Sequence, residues 1–392
     1  MELTSNSPPP DNTSSFILCP TVATLFLIPS TYTLLFLAAL PGNALSLWVF
    51  CRCIPSVSPV HVYLSHLSAS NLMSALTMPF LAAYYALGSI WPLRSVPCWL
   101  VLHLITPQLH INIYISLIIL TLVAISRYAA LIQNTQAPRP NTRSTLVPYR
   151  FFACLKRTSF ARRMGAVVWV LAVGGIVPVT LYYSVKEATA GTDGDAGGGG
   201  VGVCYSPPVE LGGRLSAAFT APLMIVFFVF YLLVLLCYMI VLRHIRRSRR
   251  STNVPTSHIL LGRVLRNIVI IQVVLSVCLL PYHIFKPIFL SLAHHPHQPT
   301  FSPQPNMCHP LSALIELKNF LLLLAALRGA TDPLMYFMLD KTFRSETRRL
   351  LRCNKTDPGG RQMFWSVTGS QSAGQAVDVK VETVDSGDND VL

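Results

Sequence analysis

The chain has 392 residues, 52% of them hydrophobic and only 12% charged, with a formal net charge of +14 and a mean hydropathy of +0.51. Soluble domains carry about 25% charged residues, so this composition excludes an ordinary soluble protein. The basic excess would suit nucleic acid, but its placement along the chain excludes that partner as well.

A helix that crosses a bilayer needs about 20 predominantly apolar residues. Seven stretches qualify, at roughly 23–51, 60–87, 100–131, 164–185, 216–243, 265–292 and 312–338. The reading is an all-α membrane protein. Residues 1–22 form an outer tail, 23–339 a seven-helix bundle, 340–353 a short amphipathic eighth helix and 354–392 a disordered tail. The start lacks a basic n-region and a short h-region, so the first helix is read as its own uncleaved signal. No internal repeat of the transporter kind is visible.

Residues 1–51 contain no Lys or Arg. The basic residues gather between the third and fourth helices (Arg139, Arg143, Arg150, Arg157), between the fifth and sixth (Arg243, Arg246, Arg249, Arg263) and after the seventh (Lys341, Arg344, Arg348). With seven spans these segments share one side, which the positive-inside rule makes cytoplasmic. That implies a multi-pass plasma-membrane protein with its N-terminus outside and its charge directed at lipid headgroups. Asn12 begins a glycosylation sequon on the outer side. Cys19, Cys98, Cys204 and Cys308 also fall outside, where disulfides persist. Four cysteines allow three pairings. Cys98 with Cys204 is the first choice, since it pins the second outer loop to the third helix. Cys19 then pairs with Cys308, and the other pairings stay open. Cys353 follows an amphipathic run with Phe343, Leu350 and Leu351 on one side, which suits an interfacial helix with a palmitoyl anchor.

The seventh stretch poses a question. Phe320–Leu327 has no polar side chain, yet Arg328 and Asp332 follow within the same helix. A charge at the bilayer centre costs about 2.5–3.5 kcal/mol on insertion scales, so it rarely faces lipid. Four residues apart, the two share a helical face and can pair.

Several motifs now fall in order. "GN" at Gly42-Asn43, "SRY" at Ser126-Arg127-Tyr128, Trp169, "CLLP" ending at Pro281 and "DPLMY" from Asp332 and Pro333 to Tyr336 resemble the helix motifs of rhodopsin-like, class A G-protein-coupled receptors. "PYHIFKP" at 281–287 and Lys318 are similar to the purinergic-receptor-like branch of that family. "HVYLSHL", "VPVTLYYSV" and "TDPLMYFMLDKTF" resemble an orphan group within it. The resemblance covers residues 22–353 and implies a receptor that passes an extracellular signal to a heterotrimeric G protein, with the inhibitory class mildly favoured. It implies no cofactor and no enzymatic activity.

The departures from the family pattern are as informative. Asn71 stands where the family carries an Asp, Ser126 where an acid precedes the Arg, Leu279 where helix six has a Trp, and Phe230 at the helix-five proline position. Cys98 lies about four residues further from Arg127 than is usual in the family. Most class A receptors hold a sodium ion mid-bundle on the helix-two Asp and polar groups of helices three and seven. With Asn71 neutral, the expectation is that Arg328 acts as a built-in cation, paired with Asp332 and hydrogen-bonded to Asn71 and Ser116. Arg127, free of a neighbouring acid, is expected to meet the G protein with raised basal activity; the bland alternative is an Arg reaching lipid headgroups. Tyr238 and Tyr336 resemble a pair that bridges helices five and seven in the active state.

His283 and Lys286 are three apart on helix six, and Lys318 starts the matching level of helix seven. Two ammonium groups in one cavity favour an anionic ligand, a phosphate or carboxylate. The alternative is that each lysine reaches for the outer interface. His110 and Tyr114 on helix three complete the expected ligand pocket.

Other features are read more simply. Residues 191–202, "GTDGDAGGGGVG", are a flexible low-complexity insert. His294, His295 and His297 are read as a solvated loop rather than a metal site. The terminal "DNDVL" fits a PDZ partner, and Ser366, Thr368, Ser370 and Ser372 would suit arrestin recruitment after phosphorylation. Two rival readings remain, a non-signalling seven-helix scaffold or heterodimer partner and a transporter or channel.

Overall fold

The structure is a computed structural model. It describes residues 18–88, 90–92, 95–135, 153–190, 204, 210–212, 214–251, 255–293 and 308–353. The long helices, in chain order, are α1 (Ile28–Trp48), α2 (Pro59–Ala86), α3 (Thr106–Thr135), α4 (Thr158–Ala190), α5 (Arg214–Ser251), α6 (Pro255–Ala293), α7 (Ser312–Leu339) and α8 (Lys341–Cys353). Single π-turns extend α1 at both ends, Ala23–Leu27 and Val49–Cys53. Residues Met1–Arg349 form one compact unit. Leu350–Leu392 form a second, whose described part is the last turn of α8.

Local chemistry sets the boundaries. At the start of α2 the Ser58 hydroxyl accepts from the His61 N–H (3.3 Å), and the His61 ring accepts from the Ser58 N–H (3.4 Å). This reciprocal box satisfies two otherwise orphan donors. Pro59 follows at the first helical position, where its missing N–H costs nothing. α7 ends where Asp340 turns to extended backbone, and the Asp340 carboxylate accepts from the Phe343 N–H (3.0 Å) to open α8. The extra residues between Cys98 and Arg127 are taken up by a short helix (Val96–Leu100) and a π-turn (Val101–Ile105). Cys98 is disulfide-bonded to Cys204.

Among the described residues, five helical stretches are long and apolar enough to cross a membrane: Ala23–Cys53, Val96–Arg127, Thr158–Val179, Ala217–Arg243 and Val269–Ala293. α2 and α7 are not among them, because they carry polar stripes: Ser70, Asn71 and Ser74 on α2, and Glu316, Lys318, Arg328 and Asp332 on α7. Those stripes face inward. α2 buries Ser70, Asn71 and Ser74 while exposing Met73, Leu76 and Phe80. A polar interior with an apolar exterior is the pattern a bilayer demands.

α3 is the central helix. Within its span 78% of the apolar window is buried, against 28–33% for the other four. It packs on α2, α4 and α5, while α1 packs on α2 and α7, and α7 also meets α6 and α2. The innermost site layer lies where α2, α3 and α7 meet.

Candidate functional site

The innermost layer is built on Arg328. Its Nη1 donates to Asp332 Oδ2 at 2.6 Å, and the two side chains are only 1% and 0% exposed. Its Nη2 donates to Asn71 Oδ1 (2.9 Å), Asn112 Oδ1 (3.2 Å) and Ser116 Oγ (2.6 Å). Asn71 Nδ2 in turn donates to Asp332 Oδ2 (2.7 Å) and Asn43 Oδ1 (3.2 Å). Asn112 donates to Ser70 Oγ (2.9 Å) and Asn71 Oδ1 (3.1 Å). The layer thus joins α1, α2, α3 and α7.

Two glycines allow this approach. A Cβ on Gly329 would lie 3.2 Å from Asn71 Oδ1, and one on Gly42 would lie 3.0 Å from Pro333. Asn43 Nδ2 donates to the Gly329 carbonyl (3.0 Å), tying α1 to α7 beside the proline.

One guanidinium and one carboxylate make this layer electrically neutral, because Asn71 adds no charge. Arg328 Nε and Asp332 Oδ1 are buried and make no hydrogen bond among the described residues. Asn71 Oδ1 and Ser116 Oγ, which the resemblance places around the family's sodium ion, here accept from the guanidinium. Among the described residues no cluster of three His, Cys, Asp or Glu side chains is arranged for a metal.

The second layer lies toward the end that carries the disulfides, Cys19–Cys308 and Cys98–Cys204. His110 Nδ1 meets the Thr106 carbonyl (2.9 Å), so that nitrogen is the donor. Its Nε2 then accepts from the Tyr282 hydroxyl (2.8 Å), linking α3 to α6. The Lys286 ammonium sits 5.4 Å above the Tyr282 ring. Lys318 sits 5.4 Å from the Phe289 ring and donates to the Glu210 carbonyl (2.7 Å) and Oε2 (2.9 Å). At the same end Glu316 accepts from Thr21 and Thr24 (2.6–3.0 Å), clamping the start of α1 to α7 beside Cys19–Cys308.

The third layer lies at the opposite end, near Arg127. His61 Nε2 donates to Asp340 Oδ2 (3.1 Å), because its Nδ1 is engaged as acceptor. Burial alone would raise the Asp340 carboxyl, but the hydrogen bonds from His61 and the Phe343 N–H outweigh it and hold the group below the usual carboxylate range. Phe343 is buried on Phe50 (5.0 Å) and Tyr336 (6.0 Å). Arg127 is half-buried, with Tyr238 within electrostatic reach. The Tyr238 hydroxyl is buried without a hydrogen-bond partner among the described residues.

The structure therefore brings Arg328, Asp332, Asn71 and Ser116 together. It adds Asn112, which lies four residues before Ser116 on the same face of α3 and was legible from that spacing. Three further residues have defined surroundings. His283 is fully buried: its Nδ1 donates to the Leu279 carbonyl (2.8 Å), its ring stacks on Phe227 at 3.4 Å and edge-on to Tyr114 at 6.1 Å, and its Nε2 has no hydrogen-bond partner among the described residues. Lys318 is not a free cation, because Glu210 holds it. Phe343 does not face lipid, because it fills the joint between α1, α7 and α8.

Leu279 is fully buried, and Pro281 lies within α6. Asn12, the His294–His297 loop, the 191–202 insert, the tail serines and the side chains of Tyr128 and Cys353 lie outside the described residues.

A family model for the 7 transmembrane receptor (rhodopsin family) matches residues 42–336. The chain belongs to the rhodopsin family of seven-transmembrane receptors. The receptor is 35% identical to Probable G-protein coupled receptor 82 of Homo sapiens over 336 residues, covering 85% of this chain and 94% of that protein. The mouse counterpart, from Mus musculus, is 37% identical over 341 residues, covering 86% and 98%. The human Uracil nucleotide/cysteinyl leukotriene receptor is 26% identical over 352 residues, covering 88% and 82%. The receptor is accordingly a multi-pass plasma-membrane protein of a receptor family rather than an enzyme family.

Proposed function

We propose that this receptor binds an anionic extracellular ligand between α3, α6 and α7 and passes the signal to a heterotrimeric G protein. The observation that carries the ligand class is the Lys286 ammonium over the Tyr282 ring, whose hydroxyl meets His110, with Lys318 over the Phe289 ring and held by Glu210 at the same end. Fixed cations in a shielded site suit phosphate or carboxylate oxygens. A relative named for a uracil nucleotide supports that choice, since nucleotides carry phosphate.

In this reading the N-terminus and the disulfide end are extracellular, and Arg127 faces the cytoplasm. An anion drawing on Lys286 tugs the Tyr282–His110 link between α3 and α6. Binding shifts a pre-existing equilibrium in which the Arg127 end of α6 swings outward about Pro281. The Arg328 layer holds α2, α3 and α7 as one block against which that motion occurs, with Arg328 serving as its resident cation in place of sodium. Tyr238, Tyr336 and Arg127 receive the G protein, with the inhibitory class favoured. Without a neighbouring acid, Arg127 is weakly restrained and basal signalling is raised.

The test is ligand-free activation of the four G-alpha classes in cells, at equal surface expression. Wild type is expected to activate one class. Arg127→Ala is expected to abolish that activity and Ser126→Asp to lower it. Silence in every class, or activity that survives Arg127→Ala, contradicts the reading and favours the scaffold.

A further inference from the structure

The two lysines of the proposed anion site are in different states. Among the described residues no acid lies within ion-pair distance of Lys286, and its ammonium rests over the Tyr282 ring. Lys318 is occupied. It donates to the Glu210 carbonyl at 2.7 Å and to Glu210 Oε2 at 2.9 Å. Its side chain is 16% exposed and that of Glu210 is 9% exposed. A pair this shielded is not the screened surface bridge that contributes little.

Glu210 is also brought to Lys318 on a short leash. It lies six residues after Cys204 (210 − 204), which the disulfide fixes to Cys98 before α3. The Cys204 N–H donates to the Trp91 carbonyl (2.8 Å), and the Tyr84 hydroxyl reaches Glu210 Oε1 (3.4 Å).

We propose that Glu210 is a tethered internal competitor for the anionic ligand, so that Lys286, which has no acidic partner among the described residues, is the first anchor and Lys318 is gained only by displacing Glu210. The inference rests on the anion-site reading above and adds a selectivity rule to it. A tethered group competes at a high effective concentration. A ligand with one oxyanion group engages Lys286 alone. A ligand with two, such as a diphosphate or a phosphate and a carboxylate, also replaces the Glu210 carboxylate on Lys318. Displacement frees the loop segment that bears Glu210 from α7, coupling ligand charge to the extracellular face.

The test uses the full-length receptor in native membranes and methyl acetyl phosphate, a small anionic reagent that acetylates accessible lysines at anion sites. Modification at each lysine is read by peptide mass spectrometry. In wild type, Lys286 is expected to be acetylated and Lys318 protected. In Glu210→Gln, Lys318 acetylation is expected to rise about tenfold, as a lost charge-assisted contact of about 1.5 kcal/mol would give, with Lys286 little changed. Should that variant not reach the surface, Glu210→Ala carries the same expectation. Equal acetylation of Lys318 in wild type and variant overturns the proposal. Inorganic pyrophosphate separates it from the broader reading. Protection of both lysines in the variant supports an anion site. Protection of neither overturns the anion site and with it the competitor role, even where the Glu210 effect on Lys318 is seen.

Discussion

Arg328→Met is expected to destabilise the receptor by about 3–5 kcal/mol, because it leaves the Asp332 carboxylate buried and unpaired. The four hydrogen bonds from the guanidinium go with it, leaving Asn71, Asn112 and Ser116 oxygens short of donors. Thermal unfolding of the purified receptor in detergent reads the loss. The companion Arg328→Met/Asp332→Asn is expected to recover most of it. That variant removes both charges, and Asn at this position can still accept from Asn71. Breaking a buried pair costs far more than deleting it whole, so the double variant separates charge from packing. A single variant within about 1 kcal/mol of wild type would show that the pair does not hold the bundle together, against the usual cost of breaking one.

Lys286→Gln is expected to weaken the response to an anionic agonist by about ten- to a hundredfold, and Lys286→Gln/Lys318→Gln to abolish it at unchanged surface expression. The first figure follows from losing one charge-assisted contact worth about 1.5–3 kcal/mol, at about 1.4 kcal/mol per tenfold. The larger effect belongs to Lys286 because Lys318 is already partnered by Glu210. Concentration–response curves over a panel of nucleotides and lipid phosphates make the comparison. An undiminished response in the double variant would remove both lysines from the site.

The readability of these layers from sequence differs for physical reasons. The Arg328–Asp332 pair was legible because two charges in an apolar run have no lipid-facing solution, and a four-residue spacing puts them together. Its partners on α2 and α3 came through the resemblance, since nothing local to Asn71 or Ser116 says which helices meet. Glu210 was hidden: it comes from a loop 108 residues before Lys318, and no local pattern reveals where that loop returns. His283 shares a helix-six face with Lys286, but its depth was not legible from that spacing alone. Three residues back from Lys286 is about 4.5 Å deeper at 1.5 Å per residue, enough to put its ring under Phe227. Phe343 was read with the lipid-facing stripe of α8, but Asp340 fixes the first turn so that this ring meets Phe50 and Tyr336 instead. Five of the spans, by contrast, follow from hydropathy, while α2 and α7 carry polar residues that suit an inward face.

In the proposed reading Arg328 is the resident cation of the bundle. The most direct measurement is the thermal stability of the ligand-free receptor as sodium chloride replaces choline chloride at constant ionic strength. A melting temperature that does not change across the titration is the result this account requires. A saturable, sodium-specific rise would mean that the ion still has a site among Asn71, Ser116 and Asp332, and would contradict it.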